Sequence, residues 1–246
     1  MKKVLWLLLV GLLTVGLALG GCTKEATKIV VVTDATWMPF EYVNEQTKEI
    51  VGFDIDLMKA IAEKANLEIE FKNVAWDSLL PGIAQGTYDV AISSISILPE
   101  RQKEMLFSDP YFAAGQLIAV RIDNTTIKSK ADLSGKTVGA QISTTGAFEI
   151  DNIAGAVKKT YDDIGLAFQD LMNGQIDAIV SDNPLVLGYV NKNPTKLKTA
   201  GEVFSAENYG IAVAKGKEDL LKKINDGLKK VLAEGIIETL SKKWFE

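Results

Sequence analysis

The stretch of sequence that decides the fold is residues 89–101, which read DVAISSISILPER. Its first part, residues 89–95, is a short apolar run with Val and Ile, which predicts a buried strand. The run leads into a serine-rich loop, and Arg101 follows that loop at the start of a predicted helix. A buried strand that ends in a polar loop before a helix is the repeating unit of an α/β fold.

The same alternation of strands and helices extends outward from this stretch in both directions. Two such series, with elements left over near the end, indicate two lobes between which the chain crosses twice, with 116–120 and 208–212 as the candidate crossings. On the N-terminal side the pattern predicts strands at 29–33 and 69–71 and helices at 54–65 and around Leu79, where Pro81 would take an early position. On the C-terminal side it predicts strands at 137–141, 177–181 and 209–214 and helices at 145–153, 163–172, 184–191, 220–232 and 236–244.

The N-terminus has the pattern of a secretory signal. Lys2 and Lys3 precede an apolar run at 4–19, and the run ends in Leu-Gly-Gly before Cys22. This end resembles the bacterial lipobox, so we predict a signal peptide at 1–21, an acylated Cys22 and a polar tether at 22–28. The alternative is a short membrane anchor, but the run is glycine-rich and too short for a spanning helix of about 20 residues.

Composition excludes several classes of protein. The net charge is −5, and the predicted signal carries only basic charges, so the mature chain is more acidic still. An acidic protein is not expected to bind the phosphates of a nucleic acid. The chain has no histidine and no acidic calcium loop, so we predict neither a metal site nor a cofactor. Its single cysteine excludes an intramolecular disulfide.

Several segments, in this order and spacing, resemble the polar-amino-acid family of solute-binding proteins that serve ABC importers, in its lipoprotein form. These proteins are the bacterial extracellular solute-binding proteins of family 3. The resemblance covers nearly all of the mature chain. It is carried by VTDATWMPFEY (32–42), VGFDIDL (51–57), the stretch at 89–101, FSDPY (107–111), VGAQISTTG (138–146), DAIVSD (177–182) and KKWF (242–245).

The resemblance implies a periplasmic-binding-protein-like fold, with two α/β lobes joined by two crossing strands and a ligand in the interlobe cleft. Lobe 1 would comprise 29–114 plus 208–246, and lobe 2 would comprise 115–207. The expected partners are a free amino acid, the permease and ATPase subunits of an ABC importer, and the membrane through the lipid on Cys22. We expect a monomer outside the cytoplasm.

The resemblance also assigns the groups that would hold the common part of an amino acid. Arg101 would bind the α-carboxylate through its planar fork, assisted by backbone amides at Ser94 and Thr145. Asp182 would accept from the α-ammonium, together with the Ser96 hydroxyl and the Ser94 carbonyl. The alternatives are a solvated charge at a helix start for the arginine and a helix N-cap for the aspartate; the N-cap role is compatible with binding.

The pocket for the ligand side chain is expected around Asp34, Trp37, Trp76 and Gln141. An acid beside two tryptophans suits a cation that can stack on aromatic faces, which favours arginine, with lysine or histidine accepted. Glutamine is the alternative, because an amide could use Asp34 and Gln141 together. Ordinary core packing is the alternative role for the tryptophans.

Two further classes of function remain open at this stage. Some members of this fold act as dehydratases, but such chemistry needs a positioned general acid or base, and the chain has no histidine. The chain could also sense its ligand through a separate partner. We predict a binding protein and not an enzyme.

Overall fold

A computed structural model describes residues 28–246. The predicted signal peptide, Cys22 and the tether up to residue 27 lie outside the described residues. Within the described range, no helix is both long enough and apolar enough to cross a membrane.

The described residues form an α/β structure whose strands are β1 (Ile29–Thr33), β2 (Thr36–Trp37), β3 (Glu41–Val43), β4 (Ile50–Val51), β5 (Ile69–Asn73), β6 (Val90–Ala91), β7 (Leu106–Phe107), β8 (Phe112–Ala114), β9 (Gln116–Arg121), β10 (Thr137–Gln141), β11 (Val157–Tyr161), β12 (Ala178–Asp182), β13 (Leu197–Ala200), β14 (Glu207–Tyr209) and β15 (Ala212–Val213). The helices are α1 (Phe53–Ala65), α2 (Trp76–Ala84), α3 (Pro99–Glu104), α4 (Thr145–Asp151), α5 (Ile164–Met172), α6 (Asn183–Lys192), α7 (Glu218–Ala233) and α8 (Ile236–Phe245).

Two five-stranded sheets form the centres of the two lobes. The first has the order β5-β1-β6-β15-β7 and the second the order β11-β10-β12-β9-β13. In each sheet three strands are parallel, and the pairs that include β15 or β9 are antiparallel. The parallel strands bring their carboxyl ends, and the loops that follow them, to one edge of each sheet, which is where ligands bind in open α/β sheets.

Helix α1 shows how sequence sets these elements. Ile55, Met58 and Ile61 lie on one buried stripe, as the helical period predicts. The helix begins after Gly52, whose φ is 141°, and a Cβ there would lie 2.0 Å from the carbonyl oxygen of Phe40. Only glycine fits this conformation and this close approach.

The two lobes are joined by the short antiparallel pair of β8 and β14, with Ala113 opposite Asn208. Rings from both crossing strands and from distant segments pack around this pair; they are Phe40, Phe53, Phe112, Tyr209 and Phe245. Phe112 and Tyr209 are stacked, and the other rings pack edge-to-face or tilted. A groove beside the pair runs between α6 and α8, with Leu187 on one wall and Trp244 on the other.

The predicted crossing at 116–120 is wrong. Residues Gln116–Arg121 form β9, which lies inside the second sheet between β12 and β13. The predicted strand at 209–214 is broken, because Tyr209 belongs to the crossing pair and Ala212 to the first sheet. Apolar runs of this kind fit a crossing and an interior strand equally well, so periodicity could not separate them.

Other boundaries also differ from the predictions. The strand at 89–95 is confined to Val90–Ala91, because the chain turns at Ser94, whose φ of 47° is left-handed. Pro81 lies inside α2 and not in its first turn, since the helix begins at Trp76. Strand β11 was missed because four of its five residues are exposed and give no apolar pattern.

Candidate functional site

A cavity lined by residues of both lobes lies between them. Eight of the predicted site residues line it, whereas Gln141 stands behind Asp34 and Cys22 is outside the described residues. The lining residues are Asp34, Trp37, Trp76, Ser93, Ser94, Ser96, Arg101, Thr144, Thr145 and Asp182. The structure therefore brings together side chains that the sequence spreads over about 150 positions.

Arg101 is buried at the start of α3, and its guanidinium bridges the two lobes. Nη1 donates to the carbonyl of Ser96 at 3.0 Å, and Nη2 donates to the carbonyl of Ser143 at 3.2 Å. The guanidinium carbon lies 5.5 Å from the ring centre of Trp76. Burial lowers the pKa of Arg101 to about 10, against the opposing influence of Asp182 and Glu207, so the group stays charged at neutral pH.

Arg101 forms no salt bridge with any of residues 28–246. A buried cation is costly unless an anion or several acceptors satisfy it. The arginine is therefore not a solvated charge at a helix start, and it is placed to receive an anion inside the cavity.

Asp182 ends β12 and occupies the N-cap position of α6, but its side chain makes no capping hydrogen bond. Oδ1 accepts from Gln116 Nε2 at 2.5 Å, and Oδ2 accepts from the hydroxyl of Tyr209. Burial, and then the charge of Glu207, raises the pKa of Asp182 to about 7. A cation beside this carboxylate would favour its ionised form.

The structure corrects one predicted contact of Ser94. Its backbone amide donates to Asp54 Oδ2 at 2.8 Å, and the Tyr111 hydroxyl donates to the same oxygen at 2.7 Å. The amide is thus engaged by the protein itself and is not free for a ligand carboxylate. The Ser94 hydroxyl lines the cavity and is buried without a partner among the described residues.

Thr145 and Ser96 direct their hydroxyls to a residue that the sequence did not indicate. Ser96 Oγ donates to Glu207 Oε2 at 2.6 Å, and Thr145 Oγ1 donates to the same oxygen at 2.8 Å. Thr145 is also the first residue of α4, so its amide belongs to a helix turn that lacks intrahelical acceptors.

Asp34 follows β1, and its polar partners differ from those of Arg101. Its Oδ2 accepts from Gln141 Nε2 at 2.8 Å, and its Oδ1 accepts from Thr36 Oγ1 at 3.1 Å. Burial raises the pKa of Asp34 to about 6, against the hydrogen bond from Gln141, which lowers it. Gln141 reaches the site through Asp34 and so joins the two lobes.

The tryptophans are both buried lining residues and parts of the cores. Trp37 belongs to the large cluster that includes Phe40, and Trp76 packs with Leu79 and Ile83. The indole nitrogens of Trp37 and Trp76 are buried and have no partner among the described residues. Both rings present surface to the cavity, as required for contact with an aliphatic stem or a flat cation.

Sequence reasoning missed four residues of the site. Ser93 and Thr144 line the cavity, and both stand in the serine- and threonine-rich loops whose neighbours were predicted. Gln116 and Glu207 support the hydroxyls and Asp182 from behind. Nothing near these two in the sequence marks them, because the cavity residues that they contact lie 29 to 111 positions away.

Three comparisons with known proteins identify the family of this chain. The model of the bacterial extracellular solute-binding proteins, family 3, matches residues 29–246. The chain belongs to this family. The L-cystine-binding protein TcyJ of Escherichia coli is 35% identical over 224 residues, covering 90% of this chain and 84% of the relative. The ABC transporter arginine-binding protein 1 of the same species is 36% identical over 251 residues, covering 100% and 99%.

This solute-binding protein is also similar in structure to a solved member of the same class. An ancestral arginine-binding protein bound to arginine superposes with a TM-score of 0.85 at 43% identity, covering 89% of this chain and 98% of that one. The periplasmic-binding-protein fold expected from the sequence is confirmed. The chain is an extracytoplasmic binding protein of transport and not an enzyme, as the family establishes.

Proposed function

We propose that this solute-binding protein captures a free L-amino acid with a cationic side chain, arginine first, and delivers it to an ABC importer. The observation that carries the proposal is the buried guanidinium of Arg101, which faces the cavity without a salt bridge to residues 28–246. The α-carboxylate common to all amino acids is the anion that fits it, with two parallel hydrogen bonds.

Charge complementarity supports a cationic side chain. The cavity is lined by two carboxylates, Asp34 and Asp182, and by one guanidinium, Arg101. A zwitterion with a cationic side chain carries two positive charges and one negative charge. Each of these charges can then pair with one of the three charged groups of the cavity. A neutral side chain leaves Asp34 unpaired, and an acidic one places two like charges together.

The polar partners of Asp34 support the same choice. Its oxygens already accept from Gln141 and Thr36, yet burial keeps its pKa raised, so these two bonds do not offset its desolvation. A guanidinium would supply both charge and further donors. Glutamine remains the alternative, because its amide could donate to Asp34, although without charge.

A thermal-shift screen against the twenty amino acids and L-cystine tests the proposal. A ligand at 100 times its dissociation constant adds about 2.7 kcal/mol to the free energy of unfolding. We expect arginine to give the largest shift, lysine and histidine smaller ones, and aspartate and glutamate none. A larger shift with glutamine or cystine would assign that ligand instead, and no shift with any of them would reject the proposal.

We also propose that the protein works as a monomer held to the membrane by lipid on Cys22. Leu-Gly-Gly before the only cysteine supports this, after a basic and then apolar start. The tether at 22–28 spans at most about 3.5 Å per residue, so the receptor would stay near its permease.

Cys22→Ser should leave unprocessed precursor, because the acylated cysteine is what the lipobox presents for cleavage. Mass spectrometry of the membrane fraction should show acyl chains on Cys22 and no residue before it. A mature protein released from the membrane and cut at another position would contradict the anchor. The ligand screen is unaffected by that outcome.

A further inference from the structure

The carboxylate of Glu207 connects the crossing strands to both sides of the cavity. It lies on β14, and its Oε2 accepts from Ser96 Oγ at 2.6 Å and from Thr145 Oγ1 at 2.8 Å. Ser96 lies in the loop between β6 and α3 of the first lobe, whereas Thr145 begins α4 of the second lobe. One oxygen atom of Glu207 therefore accepts a hydrogen bond from a hydroxyl of each lobe.

This arrangement fixes the direction of both hydroxyl groups. A carboxylate accepts hydrogen bonds and donates none, and a hydroxyl has only one proton. Ser96 and Thr145 must each direct that proton to Glu207, so only their lone pairs remain for a ligand. Thr145 Oγ1 also lies 3.1 Å from Gln116 Nε2. The Ser96 hydroxyl, which lines the cavity, can therefore accept from a ligand but cannot donate to one.

The side-chain amide of Gln116 also indicates that this end of the cavity presents hydrogen-bond acceptors. Gln116 Nε2 lies 2.8 Å from Glu207 Oε1 and 2.5 Å from Asp182 Oδ1. A side-chain atom between two carboxylates must be the nitrogen, which settles the orientation of the amide. Glu207, Gln116 and Asp182 thus form one hydrogen-bonded group. On the cavity side, this group can accept hydrogen bonds from a ligand but cannot donate them.

We propose that Glu207 is the positioning residue that makes this cavity select ligands with a free α-ammonium group, by holding the hydroxyls of Ser96 and Thr145 as acceptors. The inference rests on the proposed function, since it requires an amino acid in the cavity. Glu207 itself does not line the cavity; it acts through the two hydroxyls.

Two ligands separate this role from a merely structural one. L-arginine carries the α-ammonium, whereas 5-guanidinopentanoic acid keeps the guanidinium and the carboxylate but lacks it. Glu207→Gln introduces an amide whose nitrogen must face either Gln116 Nε2 or the two hydroxyls. In calorimetry, the variant should bind L-arginine roughly tenfold or more weakly than wild type, as for the loss of a charge-assisted bond. Its affinity for 5-guanidinopentanoic acid should stay within threefold.

Glu202→Gln is the matched control, since Glu202 is an exposed glutamate in the same segment. It should leave both affinities unchanged. Ser96→Ala applies the same comparison without altering Glu207, so a Glu207→Gln chain that fails to fold does not end the test. In both variants the loss should be confined to L-arginine.

Equal weakening of the two ligands, or unchanged binding of L-arginine, would overturn the inference and leave the proposed function standing. A wild-type protein that binds both ligands equally would also overturn it. A wild-type protein that binds no amino acid at all would reject the proposed function, and the inference with it.

Discussion

At the scale of single residues, the proposed function gives Arg101 and Asp34 different roles in recognition. Arg101 is a buried cation that forms no salt bridge with residues 28–246, and the proposed function pairs it with the carboxylate that all amino acids share. Asp34 accepts hydrogen bonds from Thr36 and Gln141, and the proposed function pairs it with the side chain that distinguishes one amino acid from another. Substitutions at the two positions should therefore fail in different ways.

Arg101→Ala should nearly abolish binding of every amino acid, because it leaves the ligand carboxylate buried and unpaired. We expect a loss of about 3 kcal/mol or more in binding free energy. Calorimetry on protein stripped of ligand measures it. Arg121→Ala is the matched control, since the other arginine of the chain pairs with Asp123 at the surface. Affinity of the Arg101 variant within threefold of wild type would show that the carboxylate binds elsewhere.

Asp34→Asn should change selectivity more than general affinity. Arginine should weaken more than glutamine by about 2 kcal/mol, as for a hydrogen bond that loses its charge. The selectivity should also depend on pH. The pKa of Asp34 is raised to about 6, and a guanidinium binds the ionised carboxylate. Lowering the pH through about 6 should therefore reduce the preference for arginine over glutamine by up to about tenfold per pH unit.

Titration calorimetry at several pH values measures this preference for wild type and for Asp34→Asn. The ratio of the two affinities cancels the contribution of Asp182, which is proposed to contact the α-ammonium that both ligands carry. The asparagine variant should show a ratio that does not change with pH. A wild-type ratio that is constant between pH 5 and 8 would remove Asp34 from the ligand's distal end.

At the scale of elements, the position of α4 depends on a close approach to β12. A Cβ added at Gly146 would lie 2.5 Å from the carbonyl oxygen of Val180 and 2.9 Å from Gln116 Oε1. The carbonyl of Val180 is backbone and cannot swing away, and the Gln116 side chain is buried and held by hydrogen bonds from its Nε2. The helix can carry Thr145 into the cavity because glycine follows it.

Gly146→Ala should lower the free energy of unfolding by about 1–3 kcal/mol, the usual cost of overpacking, and should also weaken ligand binding. Chemical denaturation and calorimetry measure the two effects. Phe148→Ala is the control on the same helix, since the Phe148 side chain is 46% exposed and should contribute little to stability. A stable Gly146→Ala protein with unchanged affinity would mean that α4 shifts without consequence.

The sequence predicted elements well wherever one face is buried and the pattern is long. Helix α1 and strand β1 have the predicted type and nearly the predicted bounds, because the apolar residues in each segment are the ones that are buried. Strands of two or three residues, such as β8, are too short to show a period. Their pairing is fixed by distant partners, as in Ala113 opposite Asn208.

The same physical limit applies to the site. Asp34, Arg101 and Asp182 were predicted because they stand in recognisable segments beside buried strands. Glu207 was missed because the stretch before it, residues 201–206, has no period, and its partners Ser96, Gln116 and Thr145 lie far from it in the sequence. The engagement of the Ser94 amide by Asp54 could not be predicted either, since it depends on the left-handed turn at Ser94.

At the scale of the whole molecule, we predict that the lobes close around the ligand as a hinge at β8 and β14. The groups that line the cavity come from both lobes, so only the closed arrangement satisfies both ends of a ligand. Small-angle scattering should show a smaller radius of gyration with arginine than without it. Arg101→Ala protein at the same arginine concentration should show no contraction.

An unchanged radius in wild type, together with unchanged emission from Trp37 and Trp76, would contradict both the hinge and the placement of the ligand between the lobes. The division of the chain into lobe 1 (29–114 plus 208–246) and lobe 2 (115–207) also remains a prediction. The closed form also excludes water, which strengthens the contacts of Arg101 and Asp182.

The groove between α6 and α8 gives the molecule a second use as an optical reporter. Rotation about the crossing pair must change the width of this groove, because α6 moves with one lobe and α8 with the other. Leu187 stands on its wall with 43% of its side chain exposed. A chain that begins after its only cysteine, with Leu187→Cys, would carry one thiol for a fluorescent dye. Such a sensor would register amino-acid capture in real time without altering any side chain that performs it.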